Sequence, residues 1–297
     1  MVRGPGDDCA VIDLGLGDAW VLFKTDAVVQ GIHFTLEAAP EQIGRKALAR
    51  ALSDIAAMAG TPKAAVITLG LPTNFDPDFI QRIYAGLNEL ATEHQVAIVG
   101  GETTSNPERL LISVSMLGMV SKQKCPSRAG AKAGDTIFVT GTLGGSILGK
   151  HFTFEPRLAE ARWLAANFPP TSMMDLSDGL AGDLRHILQA GNVGAELHAA
   201  SIPISREAKV RFREHPSAKP PLLAALTDGE DFELLFTVPA TQSVPLLDAW
   251  KAEFPKVKLT CIGRIKAEPG LSLREQYGTR KLEAHGYVHF QKPSGDV

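Results

Sequence analysis

Three cysteines in 297 residues, Cys9, Cys125 and Cys261, are too few and too far apart for a disulfide framework, and no CxxC pair offers a zinc site. Their scarcity points to a reducing cytoplasm. The chain also lacks a basic stripe: its net charge is -3 and its Lys and Arg are scattered, which argues against a nucleic-acid face. No apolar run approaches a membrane-spanning length, and the opening MVRGPGDDCAV has no apolar signal-peptide core. What is present is 44% hydrophobic residues at a mean hydropathy of +0.02. Over this length that suffices for two domains with separate cores.

The stretch from Val21 to Phe34, VLFKTDAVVQGIHF, is the natural centre of the chain. Val21, Leu22 and Phe23 read as a buried strand, and Thr25 and Asp26 arrive where it is expected to run out. Strand alternation puts Lys24 on the same side as Asp26. Gly31 permits a tight bend, and His33 after it supplies an imidazole suited to an anion. A lone Asp at such a place is more often a turn former or helix cap, so Asp26 needs company to count as a ligand. Upstream, Asp7 and Asp8 lie in a glycine-rich loop before a short strand, CAVID, and a hairpin turn at Gly15 to Asp18. Downstream, Pro40 suits a helix start, and Ile43, Ala47, Leu48, Ala51, Leu52, Ile55 and Met58 recur at helical spacing until Gly60-Thr61-Pro62. Asp54 sits among these apolar residues. It must be bonded to protein groups or to a cation.

A strand from Ala64 to Leu69, a helix through Tyr84 and Leu87 to His94, and a strand VAIVG follow, with Gly101 and Glu102 expected just past the strand's end. Leu110 to Val120 reads as a strand closing the first half. Residues 121–134 look like a polar boundary, in which the planar fork of Arg128 suits phosphate oxygens better than Lys132. The strand TIFVTG then opens a second α/β unit. Gly144, Gly149 and Lys150 approximate a Walker A loop, but His151 stands where Ser or Thr must be, and Ile147 and Leu148 look like helix interior, so the match is rejected. In SMMDLSDGLAGDLRHI a strand ends at Asp175 and Ser177 or Asp178 caps a helix with core residues Leu180, Leu184, Ile187 and Leu188. Asp183 is expected to face solvent. The acids of GEDFE read as a turn before the strand LLFTVP, KLTCIGRI as the final strand, and Tyr287 as a residue that stacks on a ligand or pins the tail.

Asp8, Asp26, Asp54, Glu102, Asp175 and Asp178 thus come from six separate places. If they converge, their repulsion demands divalent cations, and oxygen-only ligation selects magnesium over zinc.

GDDCAV, TDAVVQGIHF, LSDIAAM, GGETT, SRAGAKAGD, DLSDGL and GEDFELLF, in this order and at these separations, resemble the thiamine-monophosphate kinases, of the superfamily that includes aminoimidazole ribonucleotide synthetase. The resemblance implies a two-domain α/β fold (α+β in its segregated halves), with residues 1–122 as an ATP- and magnesium-binding domain whose sheet pairs in a homodimer, and residues 123–297 as an α/β sandwich. It implies ATP-dependent phosphorylation of thiamine monophosphate to thiamine diphosphate. Carried over by position, Asp8, Thr25, Asp26, Asp54, Glu102, Asp175 and Asp178 correspond to magnesium ligands, joined by the backbone of Lys24. Asp26, Asp54 and Asp178 are the catalytic acids. Tyr84, Gly101, Glu102, Arg128 and Ser177 fall where the family holds ATP; His33, Glu230 and Tyr287 fall where it holds thiamine monophosphate.

Three features depart from the family pattern. Glu102 replaces the usual Asp, Lys24 replaces a small hydroxyl residue, and the leader that commonly precedes GDD is absent, which is expected either to expose the nucleotide or to mean that the chain start is incomplete. Lys24 is expected to replace a cation or weaken its binding. Sister enzymes, a ligase or a selenophosphate synthetase, would share the ATP and magnesium geometry, but the reactive N-terminal Cys of the latter is missing. A non-catalytic nucleotide-binding dimer is the alternative from a different class.

Overall fold

The computed structural model describes residues 1–283 and 286–287. In chain order the elements begin with β1 (Ala10–Ile12), β2 (Ala19–Val29), α1 (Pro40–Ala57), β3 (Thr61–Leu71), α2 (Pro77–Glu93), β4 (Ala97–Ser105) and β5 (Leu111–Ser121). They continue with β6 (Thr136–Thr140), α3 (Lys150–Thr153), α4 (Leu158–Asn167), β7 (Ser172–Asp175), α5 (Leu180–Gly191) and β8 (Gly194–His198). The last are α6 (Arg206–Glu214), α7 (Pro221–Thr227), β9 (Leu234–Val238), α8 (Ser243–Glu253), β10 (Leu259–Lys266), β11 (Gly270–Glu275) and β12 (Gly278–Lys281). Two compact units result. One is Met1–Ser127 with His151–Asp175; the other is Arg128–Lys150 with the chain from Leu176 onward.

The first unit holds a five-stranded sheet in the order β1-β2-β5-β3-β4. β3 and β4 are parallel, joined by the crossover helix α2, and the other pairings are antiparallel. Leu22, Val28, Ile67, Leu69, Ile112, Val114 and Met116 are buried on one face. On the other, Phe23 pairs with Leu117, and Ser115 pairs with Thr25 on one side and Val66 on the other. That face leaves Phe23, Val66 and Leu117 between 39% and 45% exposed.

The helix predicted from Pro40 is α1, with Pro40 in its first turn and Ile43, Leu48, Leu52 and Ile55 fully buried. It crosses α2 at backbone contact, because a Cβ on Gly44 would lie 2.0 Å from the Ile83 carbonyl oxygen and one on Gly86 only 1.9 Å from that of Glu41. α2 starts at Pro77 behind Asp76, whose carboxylate accepts from Asp78 N at 3.0 Å.

In the second unit the strands keep the order β12-β11-β8-β10-β6-β9. Phe138 and Phe236 stack between β6 and β9 with centroids 5.6 Å apart. α6 is capped by Ser205, which accepts from Ala208 N.

Several local expectations need correcting. β2 does not end at Asp26 but runs on to Val29, and β4 carries Glu102 inside it to Ser105, because each finds a neighbouring strand over its whole length. Phe23 is exposed rather than buried. Ile147 and Leu148 lie exposed in a 3-10 turn, and β10 is followed by β11 and β12. Gly179, not Ser177 or Asp178, is the N-cap of α5. Asp183 is buried, since its carboxylate accepts the Asp178 and Gly179 amides, each at 3.1 Å, and so caps the helix from within.

The α1/α2 crossing makes a prediction. Gly86→Ala should cost about 3 kcal/mol of unfolding free energy, seen as a lower melting temperature, while Glu89→Ala on the exposed face of α2 stays within about 0.5 kcal/mol. Equal melting temperatures for both variants would contradict the close crossing.

Candidate active site

The first unit gathers Asp8, Asp54 and Asp175, all buried, with carboxylate oxygens within 4.8 Å of one another. Each comes from a different element: the loop before β1, the inner face of α1, and the end of β7. Lys24 extends from β2 to place its ammonium 3.1 Å from Asp54 Oδ2. Ser53 donates to Asp175 Oδ2 at 2.6 Å. Asp26 pairs with Arg50, whose Nε lies 2.9 Å from Asp26 Oδ2. Lys24 therefore lies on the side of the sheet that alternation predicts, but its ion pair is with Asp54, not Asp26.

The electrostatics are those of crowded acids. Burial raises the Asp54 pKa well above the carboxylate range, and Asp175, Asp26 and Asp8 raise it further, while Lys24 pulls it down. Burial weighs against the Lys24 charge, but Asp54, Asp26 and Asp175 prevail and hold its pKa above the ordinary lysine value. Burial, together with Asp54 and Asp8, keeps the adjacent Cys9 thiol protonated by raising its pKa. The donor set is thus oxygen only and more negative than one ammonium balances. Both properties fit a hard divalent cation rather than zinc.

Not every predicted residue joins this cluster. Thr25 and Glu102 fall on the opposite face of the sheet: Thr25 Oγ1 accepts from Ser115 Oγ at 3.0 Å, and Glu102 pairs in register with Thr68 and accepts its neighbour Thr103 N. Gly101 has a packing reason to be glycine, since a Cβ there would lie 1.7 Å from the Ile67 carbonyl oxygen. Tyr84 is half-buried on α2, and burial raises its phenol pKa. His33 sits in the turn after β2, where its Nδ1 accepts from Val29 N at 3.1 Å. Its proton is therefore carried on Nε2.

The second unit gathers Ser177, Asp178, Glu230 and Tyr287 through the backbone. Glu230 N donates to the Ser177 carbonyl and Tyr287 N to that of Asp178, both at 2.7 Å. Glu230 and Phe232 hold positive φ, 65° and 49°. The neighbouring acids restrain them: Asp228 accepts from Gly145 N, Asp231 from Gly144 N and the Ser146 hydroxyl, and Glu233 from Thr140 Oγ1 and Lys150 Nζ. Burial pushes the Asp231 carboxyl up to about 7. Lys150, the near-Walker lysine, is accordingly engaged with Glu233 at 2.8 Å. Arg128 lies in a 3-10 turn against α5, where burial and then the charge of Arg128 depress the His186 pKa. Sequence reasoning missed Arg50 and the bracing roles of Asp231 and Glu233. Helical spacing from Asp54 was a signal for Arg50; nothing local signalled the other two.

Two family models match the chain: the N-terminal domain of AIR synthase related proteins over residues 6–120 and their C-terminal domain over residues 127–275. Thiamine-monophosphate kinase of Rhodopirellula baltica is 39% identical over 296 residues, 96% of this chain and 90% of the relative. Among solved structures, AaThiL complexed with AMPPCP and TMP has a TM-score of 0.83 at 30% identity, covering 96% of this chain and 91% of that one. Thiamine-monophosphate kinase from Stenotrophomonas maltophilia has a TM-score of 0.76 at 32% identity, covering 92% and 90%.

The raised Asp54 pKa carries a sign. A carboxyl titrating higher in the folded than in the unfolded chain stabilises the fold fully below the unfolded value of about 3.9, and that contribution is lost as pH rises through the raised folded value. In EDTA, Asp54→Asn should therefore melt higher than the wild type at pH 8, with the gap closing towards pH 4. A variant that melts lower at pH 8 would show that the Lys24 ion pair outweighs the repulsion.

Proposed function

This chain belongs to the AIR synthase related family and, within it, to the thiamine-monophosphate kinases, and on that premise we propose how its residues divide the reaction. It phosphorylates thiamine monophosphate with ATP, giving thiamine diphosphate and ADP. The observation that carries the residue assignment is the buried Asp8, Asp54 and Asp175 cluster. Both reactants are polyanions, so the obstacle is charge, and magnesium ions supply neutralisation of the phosphates when bound. Asp8, Asp54 and Asp175 would hold them, with Asp54, ringed by the other acids, as the central ligand. Asp26, oriented by Arg50, and Asp178, just ahead of the α5 N-cap, would serve as further ligands.

The acceptor phosphate oxygen is already deprotonated at neutral pH, so no general base is required and positioning dominates. Arg128, Ser177, Tyr84 and Gly101 are assigned to ATP. His33, Glu230 and Tyr287 are assigned to thiamine monophosphate, with His33 donating from Nε2 to an anionic oxygen. Thr25 and Glu102, on the far face of the sheet, stand apart from the cluster and are assigned no side-chain contact with its ions. The exposed Phe23, Val66 and Leu117 on that face support a homodimer in which a second copy covers it. Three free cysteines support a cytoplasmic location. Among the described residues no helix is long and apolar enough to cross a membrane.

With ATP, magnesium and thiamine monophosphate, the purified protein should form thiamine diphosphate, and Asp54→Asn should lower turnover about a thousandfold while remaining folded. Unchanged turnover at saturating magnesium would remove Asp54 from the reaction.

Lys24 generates a separate expectation. Its ammonium occupies the carboxylate assigned to metal, so Lys24→Ser should reduce the magnesium needed for half-maximal rate by roughly threefold or more. Coincident titrations of the two proteins would show that the ammonium does not compete.

A further inference from the structure

Lys46 lies on α1 with none of its surface exposed. Its ammonium donates to the His33 carbonyl oxygen at 2.6 Å and meets His151 Nδ1 at 2.7 Å, with the Phe152 ring centroid 5.4 Å away. Burying an ammonium is unfavourable, and a methionine would fill the same volume without that cost. Core stability thus does not account for a lysine here. What the lysine adds is a charge-assisted hydrogen bond, stronger than a neutral one, aimed at a single backbone carbonyl.

That carbonyl belongs to the turn that presents His33. The turn is closed by Gly31 N to the Phe34 carbonyl at 2.7 Å and His33 N to the Val29 carbonyl at 2.9 Å, with Phe34 buried beneath it. Val29 N fixes the imidazole by bonding Nδ1, which leaves Nε2 as the donor. Ring and main chain are therefore held from different directions, the ring by β2 and the main chain by α1 through Lys46. His151, accepting at Nδ1, holds the ammonium in line.

We infer that Lys46 is a positioning residue for thiamine monophosphate: through the His33 carbonyl it sets where the His33 Nε2–H meets the substrate's anionic oxygen. The inference rests on the assignment of His33 to that substrate. It separates binding of the acceptor from binding of ATP, because the Lys46 ammonium bonds the turn that carries His33.

Steady-state kinetics on the full-length enzyme test it with His33→Ala, Lys46→Met and the double variant. Lys46→Met should raise KM for thiamine monophosphate about tenfold and leave KM for ATP within about twofold. The double variant should be no worse than His33→Ala alone, since both act through one contact. His33→Ala with an unchanged KM overturns the substrate role of His33, and this inference with it. A raised KM in His33→Ala beside an unchanged one in Lys46→Met, or additive losses in the double variant, overturns the role of Lys46 alone. If Lys46→Met does not fold, His151→Leu, which removes an acceptor of the ammonium, is measured instead: a selectively raised KM for thiamine monophosphate supports the inference, and an unaltered one overturns it.

Discussion

Mutual repulsion among the buried Asp8, Asp54 and Asp175 is the constraint on which the first unit depends. Like charges this close in a poorly hydrated interior repel by an amount that rivals the net stability of a domain. The surrounding architecture holds them regardless. α1 delivers Ser53 and Asp54 side by side, β7 ends at Asp175, and Lys24 reaches in from β2. The helix is itself pinned by the glycine crossing with α2, which leaves α1 little freedom to back away from its own acid.

Buried acids in this chain fall into two kinds, and the difference separates structure from function. Asp183, Asp231 and Glu233 each take up protein donors: helix-start amides, a glycine-loop amide with a hydroxyl, and a threonine with a lysine. Such acids tie loops together, and they hold the positive-φ backbone at Glu230 and Phe232. Asp8, Asp54 and Asp175, besides the contacts that Lys24 and Ser53 make with two of them, face one another. An arrangement that raises the pKa of its own central member does not serve the fold, and this supports the proposed cation site.

This distinction also marks what was legible in the sequence. α1 was readable because its apolar residues keep helical spacing, and the burial of Asp54 followed from its neighbours. Alternation placed Lys24 on the correct face of β2 but not its partner, because Asp54 lies thirty residues on in an element whose packing no local pattern encodes. The ends of β2 and β4 were misjudged for a related reason: polar residues there looked like loops, yet pairing with β5 and β3 keeps them extended. Asp183 looked solvated because polarity alone does not show that the amides just before it turn back onto its carboxylate, and the GEDFE acids read as a turn because nothing local reveals that Gly144, Thr140 and Lys150, distant in sequence, bond them. Motif order likewise collected Thr25 and Glu102 with the other candidates, whereas the pleat turns both to the opposite face.

Lys24 is where stability and function pull against each other. In the metal-free fold its ammonium is the positive charge closest to Asp54, and removing it leaves the carboxylates to raise one another's pKa without relief. On the proposed reading, cations held by the cluster would compete with the same ammonium for an Asp54 oxygen. A small hydroxyl at this position would give up the first benefit and avoid the second penalty. On that reading lysine would favour the metal-free fold at the expense of metal affinity. Asp26 and Asp175 also raise the Lys24 pKa, after Asp54, so the ammonium sits in the combined field of three carboxylates, and the proposed competition is for the charge of the whole cluster and not of one acid.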